Sequence, residues 1–359
     1  MACAMLTAPR GPRCWTEKAM RQIWIPKFGD ANVLRLERAD DPEPGPGELR
    51  IRVAYSGVNF ADLMGRMGLY PDLPPIPCVP GYEVSGEVDA VGAGVDEAWI
   101  GTEAIALTRF GGYADVVCVP QGQVTQRPAG LSMKQAAALP VNYLTAYTLV
   151  TVMGGLRADE TVLVHSAGGG VGIAVAQLAK HIGAQVIGTA SAHKHPFLLE
   201  LGVDHVIDYR TEDFETRVLV LTENRGVELV LDAVGGANLQ KSFRVLATTG
   251  RLGMFGISSA ASGRKRSMWR TVRALLGFPW VQANPLTLMS ENKGVFGVNI
   301  GHMWNEQERV AGWMQRLAEL ADEGVVAPHV DETFPFEHVA AAHRHIESRR
   351  NIGKVLLAA

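Results

Sequence analysis

The chain has few cysteines, no long apolar run and no excess of charge, and each absence narrows what it does. Its four cysteines, Cys3, Cys14, Cys78 and Cys118, form neither a C-x-x-C pair nor a disulfide-like framework. That usage fits a reducing compartment, so a cytoplasmic location is expected. No stretch approaches the roughly eighteen apolar residues that a membrane-spanning helix requires. Net charge is −3 and the isoelectric point lies near 6.4, so no whole-chain field favours nucleic acid. The ten histidines are scattered. Neither His193-Lys-His195 nor His343-Arg-His345 has the i, i+4 spacing of a helical metal pair, and these residues read as surface positions. Internal repeats and low-complexity segments are also lacking.

What is present suits a large enzyme-like chain. At 359 residues and 47% hydrophobic content it can bury a large core and divide into two domains. Residues 1–19 lack the apolar core of a secretory signal, and patterned sequence begins only at Arg21-Gln-Ile-Trp-Ile25. They read as a loose extension, with Met20 as a candidate start. From Ile23 to about Pro140, β-rich segments alternate with Gly/Pro turns. Leu49-Arg-Ile-Arg-Val53, Val84-Ser-Gly-Glu-Val88 and Tyr113-Ala-Asp-Val-Val-Cys-Val119 predict an irregular antiparallel β domain.

Beyond Ala146, strands and helices alternate at the period of a βαβ unit. Strands are predicted over 162–165, 185–188, 205–207, 228–231, 250–254 and near 294–298, with helices over 172–181 and 238–245. Such strands, joined by right-handed crossovers, make a doubly wound parallel α/β sheet. A helix near 307–323 then precedes a return to the first domain through 336–346 and a final strand over 354–357.

The most informative stretch is Val162-Leu-Val-His-Ser-Ala-Gly-Gly-Gly-Val-Gly172, which runs into Ile-Ala-Val-Ala-Gln-Leu-Ala-Lys180. An apolar strand ends in a glycine-dense turn, and a small-residue helix follows at once. Backbone N–H groups at such a helix start are free to bind a pyrophosphate. Gly168, Gly169 and Gly172 keep the turn clear of side chains, and Ala174 and Ala176 let the helix lie close to the sheet. The spacing Ala167-x-x-Gly170-x-Gly172 departs from G-x-G-x-x-G, so the strand–turn–helix context carries the inference.

Four segments resemble the medium-chain dehydrogenase/reductase superfamily, in its quinone oxidoreductase (zeta-crystallin-like) class. They are Gly57-Val-Asn-Phe-Ala-Asp-Leu-Met-Gly-Arg-Met-Gly-Leu-Tyr70, Pro80-Gly-Tyr-Glu-Val-Ser-Gly86, the Ala167–Gly172 turn, and Asn351-Ile-Gly-Lys-Val355. Asn59-Phe-Ala-Asp-Leu-Met64, Val141-Asn-Tyr-Leu-Thr-Ala-Tyr147 and Gly188-Thr-Ala-Ser191 resemble its vesicle amine transport protein homologue branch. The resemblance implies a GroES-like catalytic domain (20–142), a Rossmann domain (143–315) and a returning C-terminal segment (316–359), with the cofactor in the cleft between domains. It also implies a homodimer, joined through edge strands near 251–255 and 295–299.

Zinc members of the superfamily place ligands at positions held here by Asn59 and Tyr82 and near Val141, and their four-cysteine lobe is absent. Asp62 and Glu83 alone make no convincing site, so a metal-free enzyme is expected. Without a Lewis acid, reduction of a quinone or α,β-unsaturated carbonyl compound is an easier task than alcohol oxidation. The resemblance places Asn59 and Tyr70 at the nicotinamide cleft as donors to the developing oxyanion; their alternatives are a turn-capping Asn and a partly buried Tyr. Met64 stands where quinone reductases of the class often carry Tyr.

The second Rossmann strand, Val186-Ile-Gly-Thr-Ala-Ser191, presents Ala190 where an NAD-binding unit presents a carboxylate. NADPH is therefore the expected cofactor, with Ser191 and Lys194 as donors to its 2′-phosphate. A solvated helix lysine is the alternative for Lys194. The resemblance adds Tyr209 to that phosphate site and Thr145 at the nicotinamide ribose or carboxamide. It gives Gly169, Gly170 and Val171 as pyrophosphate donors, Gly256 as a close backbone approach, and Asn351 and Lys354 as closing residues of the cleft. Lys354 reads equally as a strand-edge gatekeeper.

Arg264-Lys-Arg-Ser-Met-Trp-Arg-Thr-Val-Arg273 combines five cations with no acid. It reads as a membrane-surface helix, a lid, or a subunit contact with solvated charges. Two functions follow: an NADPH-dependent quinone or enone reductase, and a nucleotide-binding, low-turnover protein that recognises lipid or a partner.

Overall fold

The computed structural model describes residues 19–259 and 284–359. The expected extension up to residue 18 and the basic 264–273 segment lie outside these residues. In the first half, β1 (Met20–Trp24) and β2 (Arg35–Ala39) form an antiparallel ribbon. Beside it lie β3 (Glu48–Val58), β4 (Glu83–Val91), β5 (Glu103–Leu107), β6 (Val116–Pro120) and β7 (Val124–Gln126). Leu49, Ile51 and Val53 of β3 turn inward, while Arg50 and Arg52 turn outward to share Asp89 on β4, at 2.8 and 2.6 Å. Alternation and a cross-strand ion pair thus fix the same register.

The middle of the chain forms β8 (Thr161–His165), β9 (Gln185–Ala190), β10 (His205–Asp208), β11 (Val227–Asp232), β12 (Leu246–Met254) and β13 (Gly294–Gly297). They make one parallel sheet in the order β10-β9-β8-β11-β12-β13. Every residue of β8 and β11 is buried, as expected of strands covered on both faces. The order reverses at β8, and such a switch point opens a crevice at the carboxyl ends of the strands. Two boundaries of this sheet differ from the sequence reading by more than one residue. β9 runs on to Ala190 because β10 continues to pair with it through Asp208, and β12 starts at Leu246, opposite Val227.

Helix Gln307–Asp322 packs Met314, Leu317, Leu320 and Ala321 into the core shared with β8 and β9. The chain then returns as β14 (Val330–Pro335) and β15 (Lys354–Ala358). β15 lies parallel to β14 and antiparallel to β3, inside a sheet ordered β14-β15-β3-β4-β5-β7. Lys354 is thus no strand-edge gatekeeper: its strand has a neighbour on each side. Likewise β12 is interior, and β13 is the edge of the parallel sheet among the described residues.

Leu163, fully buried on β8 in the cluster with Ile187 and Val230, tests this core. Leu163→Ala is expected to cost about 2–5 kcal/mol in urea unfolding.

Candidate active site

β8 ends at His165, and the helix Gly170–Ile182 starts after a turn in which Ser166 has φ 59°. Gly169 caps this helix, but its own N–H donates to the Ser166 carbonyl at 2.9 Å. The amides of Gly170, Val171 and Gly172 are the first three of the helix and have no acceptor within it, while the Gly169 N–H of the expected trio is engaged by the turn. Bare backbone here has a steric cause. A Cβ on Gly170 would stand 2.2 Å from Asn142 Nδ2, and one on Gly172 would stand 2.5 Å from the Ala167 carbonyl. Asn142, whose amide also donates to the Ala138 carbonyl at 3.4 Å, was not singled out in the sequence because its closeness to Gly170 is a tertiary contact.

At the end of β9, Ser191 Oγ lies 3.2 Å from the Tyr209 hydroxyl. Burial raises the Tyr209 pKa, but its Ser191 bond and the neighbouring Arg210 guanidinium outweigh that and lower it. Lys194 is buried, not a solvated helix residue, and its ammonium donates to the Asn351 carbonyl. Burial holds its pKa below the usual lysine range, opposed by Tyr209 and Asp331. Ser191, Lys194, Tyr209 and Asn351 thus form one cluster. Asn351 Nδ2 holds the Gly353 carbonyl at 2.9 Å, and the Gly353 N–H donates to Gly168 at 2.9 Å. Gly256 lies at the same end of the sheet, where a Cβ would meet the Ala233 carbonyl at 3.0 Å.

Around Asn59 the side chains are mutually engaged. Lys354 Nζ donates to Asn59 Oδ1 at 2.6 Å and pairs with Glu83; both charged groups are buried. Glu83 also accepts from Asn59 Nδ2 at 2.9 Å and from the Val141 N–H at 2.7 Å. The amide expected to be free on Asn59 is not free: Nδ2 binds Glu83 and, more loosely at 3.4 Å, the Gly57 carbonyl. Thr145, buried on the helix Pro140–Tyr147, donates its hydroxyl to the Val141 carbonyl at 2.6 Å, which leaves it an acceptor.

Beneath Asn59 lies a second buried cluster. Asp62 accepts from Asn59 N (2.8 Å), Gly81 N (3.0 Å) and Tyr113 Oη (3.1 Å). His343, expected at the surface, is fully buried against Tyr113, with Arg66 close by. It faces inward because its neighbours on the helix Val339–Glu347, Val339 and Ala342, belong to the core. Burial pushes Asp62 up to about 7 against the pull of those donors and of Lys354. Burial, aided by Arg66, pushes His343 down to about 3.

Tyr70 borders a cavity of about 310 Å³ lined also by Asp72, Tyr82, Arg109, Phe110, Gly301, His302, Trp304 and Asn305. Burial raises the Tyr70 pKa, so its hydroxyl stays protonated and able to donate. Among the described residues no three His, Cys, Asp or Glu side chains converge as a metal site. A network that the sequence reading missed sits at the switch point. His165 bonds Thr189 (3.0 Å) and Ser242 (3.1 Å), and Ser242 donates to Asp232 (2.9 Å). Asp232 in turn accepts from Val234 N, Gly235 N and Asn238, shaping the loop after β11. Its signal was there: a polar residue ends each of two apolar strands.

Two family models match the chain, an alcohol dehydrogenase GroES-like domain over residues 45–129 and a zinc-binding dehydrogenase over 201–357. The human synaptic vesicle membrane protein VAT-1 homolog is 39% identical over 343 residues, covering 94% of this chain and 86% of that protein. The crystal structure of the human VAT-1 homolog-like protein aligns at TM-score 0.82 and 34% identity, covering 96% of this chain and 99% of that one. Escherichia coli quinone oxidoreductase complexed with NADPH aligns at TM-score 0.82 and 30% identity, covering 94% and 100%.

These two buried groups give a pH test. Asp62 binds its proton more tightly folded than at its ordinary value of 3.8, so its contribution is full below about 4 and is lost as pH rises to about 7. His343 falls below its ordinary 6.5, so its contribution is full above that value and is lost as pH falls towards 3. The two oppose each other between about 4 and 6.5. In His343→Gln the melting temperature is expected to fall more steeply than wild type as pH rises through this window. Parallel profiles would show that folding does not lower the His343 pKa.

Proposed function

The chain belongs to the medium-chain dehydrogenase/reductase superfamily, and from that premise we propose that it is a zinc-independent reductase that uses NADPH to reduce a quinone or α,β-unsaturated carbonyl compound. The observation that carries this reading is the bare helix start at Gly170, with its unpaired amides, beside the Ser191–Lys194–Tyr209 cluster. Free N–H groups suit a pyrophosphate. A lysine, a serine and a tyrosine, with no carboxylate at Ala190, suit a 2′-phosphate. When bound, the reduced nicotinamide supplies a hydride, two electrons and one hydrogen, to the β-carbon of the acceptor; solvent supplies the proton that completes reduction.

The protein's part is positioning and charge stabilisation. Tyr70 donates to the acceptor oxygen as negative charge develops there, and a well-placed donor of this kind contributes about 3–4 kcal/mol. Asn59 acts in this reading through the pair it makes with Lys354 and Glu83, which holds the returning tail against the cleft. Thr145, Asn351 and Gly256 border the cofactor. The lack of converging metal ligands among the described residues supports the zinc-independent reading. The β13 edge supports a homodimer, with strand added to strand across a two-fold axis.

Stopped-flow mixing of the NADPH-loaded protein with a quinone and enone panel tests the activity: oxidation of bound NADPH is expected. Tight NADPH binding without oxidation would instead favour the low-turnover protein that works at a lipid or partner surface. Gly170→Val is expected to weaken NADPH by about tenfold or more in calorimetry. Lys194→Met is expected to weaken NADPH about tenfold while leaving NADH binding nearly unchanged.

A further inference from the structure

The cavity beside Tyr70 carries two polar groups that the preceding account leaves without partners. The Tyr82 hydroxyl is buried and has no hydrogen-bond partner of good geometry, although Tyr70 is near enough to affect its ionisation. Burial raises its pKa, so it remains a donor. An unsatisfied buried donor is costly, and a ligand oxygen relieves that cost. Arg109 is exposed on the same wall and makes no hydrogen bond or ion pair among the described residues. The acid of this cavity, Asp72, bonds His302 at 2.7 Å and makes no ion pair with Arg109 among the described residues. Between these polar groups the walls are flat. Tyr82 lies 5.0 Å from Phe110 and 6.2 Å, edge-on, from Tyr70, and Trp304 completes the lining.

We propose that this cavity takes a planar conjugated carbonyl compound bearing a carboxylate, its carbonyl oxygen accepting from Tyr82 and Tyr70 and its carboxylate pairing with Arg109. The inference rests on the reductase reading and narrows its substrate. The cavity volume of about 310 Å³ suits one small molecule. Aromatic walls select a flat ring, and a guanidinium matches the planar, two-oxygen geometry of a carboxylate. Tyr82 occupies a position where it touches the acceptor, while Arg109 sets which acceptor is preferred.

The test uses a benzoquinone with a propanoate side chain and its methyl ester. The saturated linker leaves the ring's electron affinity the same in both. The wild-type protein is expected to favour the acid over the ester by about tenfold or more in kcat/KM, a preference that shrinks with added salt. In Arg109→Gln the acid-to-ester ratio is expected to fall to about one. Arg109 is on the surface, so folding is not at stake. Tyr82→Phe is expected to lower kcat/KM for both compounds with their ratio intact, and its melting temperature checks that the fold is kept. Equal use of acid and ester by the wild type, or a ratio that survives Arg109→Gln, overturns the carboxylate assignment. Full activity in Tyr82→Phe removes Tyr82. Calorimetric binding of the acid and ester to the NADPH-loaded protein separates the two readings. Preferential binding of the acid without NADPH oxidation leaves the subsite standing and the reductase reading refuted. Turnover of both compounds at equal efficiency does the reverse.

Discussion

A single buried ammonium ties the end of the chain to two much earlier elements of the same β domain. Lys354 enters from β15, binds Asn59 at the start of the helix Phe60–Arg66, and pairs with Glu83 at the start of β4. Removing two such charges from water costs several kcal/mol each unless geometry and further hydrogen bonds compensate. Here Glu83 also accepts from Asn59 and from the Val141 amide, so its oxygens are occupied from three sides. One residue earlier, the Gly353 amide bonds the glycine turn at Gly168. The segment that anchors the ion pair therefore also anchors the nucleotide-type turn, and neither can shift far without the other.

The two ends of the cleft differ in chemistry. Near Ser191, cations and hydroxyls gather: Lys194, Arg210, Tyr209 and Ser191 stand at the close of β9 and β10. Near Tyr70 the surroundings are aromatic, with Asp72 and Arg109 on the wall and two phenol hydroxyls kept neutral by burial. A strongly anionic group suits the first end and a flat ring the second. Between them runs bare glycine backbone, which offers amide dipoles without side-chain bulk.

Much of the α/β half could be read from sequence because its strands are continuous apolar runs between glycine punctuation, a signal local to each run. The small β domain was readable as β-rich but not as a topology. β3 pairs with β4, β6 and β15, and pairing partners so far apart leave no local trace. At the site, single residues such as Asn59, Tyr70 and Lys354 could be singled out, whereas their partners could not. That Lys354 would donate to Asn59, and Asn59 in turn to Glu83, depends on segments separated by 295 and 24 residues. His343 was misread because a pair of histidines two apart suggests exposure until the apolar face of its helix is traced. The His165–Ser242–Asp232 chain escaped for a related reason: each member looks like an ordinary strand end or helix serine.

The place of β15 has a consequence for how the protein comes into being. Its strand is inserted between β14 and β3, and β3 lies far upstream on the same chain. The parallel sheet is contiguous in sequence and has the local means to form while translation proceeds. The sheet that holds β3 does not: the Tyr55–Val58 end of β3 must wait without its β15 neighbour until the ribosome has delivered it, and contacts of such high separation form slowly. During that interval this short stretch of bare edge is a template for mispairing.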